Sequence, residues 1–230
     1  MRASIVINTR TRPRFFVRLG AALGALALVG AGCATGTDAV ASGGTFEFVS
    51  PDGQLEIFYD EDERKPIAEL VGPDLLDPDE MVGLADHEGE VVILNLWGQW
   101  CGPCRAEVDD LQRLQDEFEP QGATVFGINL RDPVREKPVD FVADNDVTYP
   151  SIWDPSNAAV AALRGFPTSV VPATLLLDRE HRVAAVYLAE ITDDQLREPV
   201  QELVDAPAPG GAHVSASDER ASEASSMGDA

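Results

Sequence analysis

Cysteine is scarce in this chain, with three in 230 residues. Three cysteines cannot build a disulfide-stapled scaffold. The fold must therefore rest on an apolar core, for which a 44% share of hydrophobic residues is sufficient. Histidine is equally scarce, and His87, His181 and His213 are scattered. A structural zinc site needs four ligands. Beyond Cys101 and Cys104 the candidates are Cys33 and those histidines, so neither a metal nor a cofactor is expected. Basic residues are few, 17 Lys+Arg against 40 Asp+Glu, for a formal net charge of −23. Such a surface repels nucleic acid and anionic lipid head groups and stays soluble, which excludes a nucleic-acid partner. The apolar run Leu19 to Gly32 is too short for a membrane span, which takes about 20 apolar residues. The chain has no internal repeat.

That run follows Arg2, Arg10, Arg12, Arg14 and Arg18. A positive start before a short apolar stretch is an export signal. Its end, Val29-Gly30-Ala31-Gly32-Cys33, resembles the lipobox of bacterial lipoproteins, which implies acylation of Cys33 after cleavage. Gly30 stands where that pattern prefers Leu; the other readings are a plain secretory signal or an uncleaved anchor. Removing Cys33 leaves one cysteine pair and no odd thiol in an oxidising compartment. The first 32 residues also hold five of the Lys+Arg and no Asp or Glu. Downstream, twelve basic residues face forty acidic ones, a net of −28.

Residues 1–33 are thus read as the signal, and the Gly-, Ala-, Ser- and Thr-rich 34–44 as a flexible tether. A folded domain spans 45–205. The tail 206–230, rich in Pro, Gly, Ala, Ser and acids, lacks the apolar residues to order itself. Within the domain, the alternating runs Thr45–Val49 and Leu55–Tyr59 flank Pro51-Asp52-Gly53, which predicts an N-terminal β-hairpin over 45–59. Ile67 to Gly89 reads as irregular and wraps the sheet. Val91 to Trp97 and Thr124 to Leu130 are apolar strands suited to a doubly covered position. Val108, Leu111, Leu114 and Phe118 repeat at helical spacing and mark the buried face of a helix from Pro103 to Phe118. A broken helix over Val134–Asn145, an extended Thr148–Trp153 and a helix Ser156–Arg164 ended by Gly165 follow. Strands Ala173–Leu177 and Val183–Leu188 join through a turn at Asp178–His181. Thr192 caps a last helix that runs to Val204. Strands and helices in this order predict an α/β sandwich.

Cys101-Gly102-Pro103-Cys104 carries the chemistry. A strand feeding a Cys-x-x-Cys at the head of a helix is the layout of a dithiol redox site. The helix terminus offers unpaired N–H groups and a partial positive charge, which favour a thiolate on the first cysteine. Cys101 thiolate attacks a target disulfide, and Cys104 then displaces the target from the mixed disulfide. Cys101 is expected to be partly exposed. Gly102 permits close approach of the partner, and Pro103 suits a first helical turn because its missing N–H would be unpaired there.

Asn95 to Glu107, with Trp97, Trp100 and the dithiol between them, resembles membrane-anchored thiol–disulfide oxidoreductases of the TlpA/ResA type. The resemblance covers roughly Ile67 to Val204. It implies a thioredoxin-like α/β/α sandwich with a central mixed sheet, on the extracytoplasmic face of the membrane. It also implies exported protein disulfides as substrates, apocytochrome c or oxidase-assembly factors among them, and a membrane thiol-electron donor. A monomer is expected. Asn95 stands where thioredoxins carry a buried Asp. Glu107 matches a Glu of this branch and is either a proton relay for Cys104 or a first-turn helix acid. The resemblance also calls for a cis-proline opposite the dithiol. Pro172, directly before the strand Thr174–Leu177, is preferred over Pro167, and Val171 would offer its backbone to a substrate strand. Trp100 is a packing and partner-contact residue, and His181 a turn residue. Asp109 replaces a helix-kinking proline of the family, which predicts a straighter active-site helix. The remaining readings are a disulfide-donating oxidase, a thiol peroxidase of the same fold and a non-catalytic client-binding module.

Overall fold

The computed structural model describes residues 44–49 and 53–207. The signal, Cys33, all of the tether but Gly44, and all but the first two residues of the tail lie outside them. Among the described residues no helix is long and apolar enough to cross a membrane.

Six strands form a mixed sheet, in the order β1 (Glu56–Phe58), β8 (Val183–Tyr187), β7 (Ala173–Leu177), β4 (Val91–Trp97), β5 (Ala123–Leu130), β6 (Ser151–Asp154). β4, β5 and β6 run parallel, while β7, β8 and β1 alternate in direction. β4 and β5 are buried along their whole length. Their side chains alternate between two cores, as the two-residue period of a strand requires. Val92, Leu94, Leu96, Phe126, Ile128 and Leu130 enter one. Val91, Ile93, Ala123 and Val125 enter the other.

The second core is covered by α2 (Val108–Phe118) and α4 (Asp193–Asp205) through Leu111, Leu114, Phe118, Leu196, Val200 and Leu203. At the head of α4, Gln195 Oε1 accepts the Thr192 N–H at 2.9 Å. α3 (Glu136–Asp144) is unbroken, because Pro138 lies in its first turn, where no intrahelical N–H is needed. The opposite face of the sheet is covered by Phe46, Phe48, Leu70, Leu84, Val160, Leu163 and Phe166. The 67–89 segment there is more regular than expected: β2 (Val71–Pro73) pairs with β3 (Met81–Gly83), and a 3-10 turn follows.

Three further expectations are corrected. The 45–59 hairpin does not form. Phe46 and Phe48 donate their N–H groups to Pro66 O and Arg164 O, and β1 becomes an edge strand against β8. Alternation located the two extended runs but carried no information on their partners. The 156–164 helix is reduced to a 3-10 turn, Val160–Ala162. Asn157 has φ +60, and the Asp154 carboxylate takes the Ala158 and Val160 N–H groups, which turns the chain before an α-helix can propagate. Finally, the active-site helix is not one continuous helix. It divides at Glu107 into α1 (Gly102–Ala106) and α2, even without the proline.

Candidate active site

β4 ends at Trp97, and the chain passes through Gly98 and Gln99 to the dithiol. The turn is tight, with Cys101 N–H donating to Gly98 O at 3.0 Å. A Cβ on Gly98 would lie 2.5 Å from Trp100 Nε1, so only glycine leaves the indole its place. Cys101 is the N-cap of α1, and Pro103 sits in its first turn. Cys101 and Cys104 are joined as a disulfide with Cα atoms 5.3 Å apart. The Cys104 N–H points at Cys101 Sγ, 3.2 Å away, as a donor that would stabilise a thiolate there.

Cys101 is 4% exposed, more deeply set than expected, while Gly102 and Pro103 are exposed beside it. Val171 O lies 3.6 Å from Cys101 Sγ and helps cover it. Val171–Pro172 is the cis peptide bond among the described residues, and it leads directly into β7. Pro167 belongs to the preceding loop, where its carbonyl accepts the Val170 N–H.

The loop after β5 closes the other side. Trp100 is 47% exposed, yet it is fixed: its Nε1 donates to Leu130 O at 2.9 Å, and the Arg131 guanidinium lies 4.4 Å from its ring centroid. Arg131 adopts φ +56. The buried Asp132 carboxylate accepts from Gln99 N–H and Asn129 Nδ2, each at 2.8 Å, and so clamps this loop to the one before the dithiol. Sequence reasoning missed Arg131 and Asp132, because nothing local links them to a motif 30 residues earlier.

Glu107 lies one helical turn beyond Cys104 and is fully buried. Asn95 Nδ2 donates to its Oε1 at 2.9 Å, and the Ile191 N–H donates to its Oε2 at 3.1 Å. Asn95 also donates to Thr174 Oγ1, so one amide links β4, β7 and the helix junction. Burial pushes the Glu107 carboxyl up to about 7; the two hydrogen bonds pull it back in part, and Glu190 and Asp110 add to the rise. The charge of Glu107 in turn helps raise the buried Tyr149 phenol, after burial itself. Asn95, Trp97, Cys104, Val108 and Tyr149 line a crevice with no room for a water molecule. The histidines stand apart: His181, at φ +52 in the β7–β8 turn, bonds His87 O, and His87 bonds Glu90.

A thioredoxin-like sheet with a cysteine pair at a helix tip defines a thiol–disulfide oxidoreductase. The chain belongs to the AhpC/TSA family, whose model matches residues 67–186. Among its relatives, the thiol-disulfide oxidoreductase ResA of Geobacillus thermodenitrificans is 24% identical over 120 residues, 52% of this chain and 67% of that protein. The thiol:disulfide interchange protein DsbE of Pseudomonas aeruginosa is 28% identical over 147 residues, 62% of this chain and 78% of that protein. Among solved structures, a DsbF homologue from Corynebacterium diphtheriae is 49% identical with a TM-score of 0.67, covering 70% of this chain and 100% of that one. A secreted thiol-disulfide isomerase from Corynebacterium glutamicum is 48% identical with a TM-score of 0.69, covering 71% and 100%.

Proposed function

We propose that this protein works outside the cytoplasm in the reducing direction, with Cys101 as attacking thiol and Cys104 as resolving thiol. Cys101 thiolate attacks one sulfur of a client disulfide, and the client's other sulfur leaves as a thiolate. Cys104 thiolate then attacks Cys101, closing the Cys101–Cys104 bond and releasing the second client sulfur. Two electrons pass to the client, and the protein is left oxidised. A membrane thiol carrier restores the dithiol. Val171 and Pro172 present the backbone edge against which the client strand lies, with Trp100, Gly102 and Pro103 as its other contacts. Cys33 carries the lipid that holds a monomeric domain to the membrane. The domain begins after the 34–44 tether and ends before the 206–230 tail. Apocytochrome c and oxidase-assembly factors are the client class.

One observation carries the direction: a buried carboxylate, raised to about 7, one helical turn past Cys104. A negative charge beneath the dithiol disfavours thiolate there. A less stable reduced form means a lower potential, the reverse of what makes a strong oxidant. As a carboxylate, Glu107 takes the proton of Cys104 as that thiol becomes the attacking thiolate, and relays it onward as the client thiolate leaves. The test is redox equilibrium against glutathione and dithiothreitol. A potential near the thioredoxin value of about −270 mV is expected, and one near the about −120 mV of strong disulfide donors overturns the direction. Glu107→Gln should raise the potential by about 30 mV or more.

A further inference from the structure

The chain as a whole is strongly acidic, yet the cations beside the dithiol are left unneutralised. Among the described residues the arginine ion pairs are made by Arg64, Arg113, Arg182 and Arg197. None of these four lies next to the cysteines. Arg105, directly after Cys104, and Arg131, stacked on Trp100, are both exposed and make no ion pair among the described residues. Arg131 is not a loose side chain. Its backbone N–H bonds Asp154 O, and the Asp132 clamp fixes the loop that carries it.

Most of the acids nearby are taken up elsewhere or lie away from these two charges. Glu107, Asp132 and Asp154 are buried, and each carboxylate is taken up by protein donors. Asp110 is paired with Arg113. Glu56 is exposed on β1, the edge of the sheet away from β5 and Arg131, while Glu190 is exposed after β8, near enough to Glu107 to raise its carboxyl. Asp109 is exposed on α2, four residues after Arg105, and makes no ion pair among the described residues, so Arg131 is the better isolated of the two cations. The densest acidic run, Asp60 to Glu63, follows β1 and so lies at the opposite end of the sheet, because β1 begins beside Tyr187 at the dithiol end.

We propose that Arg105, Arg131 and the face of Trp100 select client segments with Asp or Glu next to the disulfide cysteine. This rests on the oxidoreductase reading above. A carboxylate docks on the Arg131 guanidinium above the indole, a site where Arg is suited to planar recognition. The field of the whole molecule favours the opposite, a basic client, so the two ideas give opposite signs.

The pre-reduced full-length protein is mixed for one turnover with three disulfide peptides of common core, flanked by two Asp, two Ser or two Lys. At about 20 mM salt the Asp peptide should be reduced about fivefold faster than the Lys peptide, and at about 500 mM the two should converge. Arg105→Gln/Arg131→Gln should invert that order at low salt, and Arg105→Gln alone should shrink the ratio. A faster Lys peptide in the wild type, or a double variant that keeps the wild-type order, overturns the proposal. Reduction of the Ser peptide separates the two levels. If it proceeds without any charge preference, only this selection fails; if it does not proceed, the oxidoreductase reading fails with it.

Discussion

Replacing Glu107 by Gln should flatten the pH dependence of stability. In the folded, oxidised protein the carboxyl is raised from 4.5 to about 7, mainly by burial. The folded state therefore holds the proton more tightly than the unfolded chain. The stabilisation is fully present below about pH 4.5, is lost as pH rises through about 7, and is gone above that. The shift of about 2.5 pH units corresponds to about 3 kcal/mol at about 1.4 kcal/mol per unit. Glutamine cannot titrate, so its variant lacks this slope, although it loses an acceptor for either Asn95 or Ile191 at a constant cost of about 1–3 kcal/mol. Urea unfolding of both oxidised proteins, measured from pH 4 to pH 9, isolates the residue, since all other groups cancel in the difference. Wild type should lose about 3 kcal/mol relative to the variant across that range. Curves that stay parallel would refute the buried, titrating carboxylate.

Three other outcomes follow from the same geometry. Asn95→Leu removes a donor to Glu107 and should push its carboxyl above about 7, read as a later carboxylate band in pH-dependent infrared spectra. Gly98→Ala places a methyl 2.5 Å from Trp100 Nε1. It should break the bond to Leu130 O, shift Trp100 fluorescence and cost about 1–3 kcal/mol, measured by chemical unfolding. Cys104→Ser should accumulate a mixed disulfide between Cys101 and a model disulfide on non-reducing gels, and Cys101→Ser should accumulate none.

What was legible in the sequence was local. The apolar run of β4, the period of Val108, Leu111, Leu114 and Phe118, and the cap of α4 at Thr192 each depend on neighbours within a turn or two. The paired sulfurs needed only their spacing. The 45–59 hairpin failed because alternation names a strand and not its partner: Glu56 faces Tyr187 across 131 residues of chain. The 156–164 helix failed because a side-chain acceptor, Asp154, competes for the N–H groups a helix would use. Glu107 was visible by position, but its environment was not, since one hydrogen-bond donor comes from Ile191, 84 residues away. Arg131 and Asp132 escaped notice for the same reason.

The interruption of the active-site helix and the burial of Glu107 are best understood together. At ψ −7° Glu107 departs from helical geometry, and its carboxylate reaches the Asn95 amide on β4 and the Ile191 N–H beyond β8. A leucine there would fill the same interior without desolvating a charge, but it would leave the buried Asn95 amide and Ile191 N–H without their acceptor. On the function proposed above, a charge one helical turn past Cys104 makes thiolates near it less favourable. A costly buried carboxylate poised near neutrality is the kind of perturbed group that marks a working site. At Cys101 the Cys104 N–H pulls the other way, toward the thiolate that begins the exchange. On the proposed function the two cysteines thus stand in opposed fields, the first favoured as nucleophile and the second held back until the mixed disulfide brings it into play.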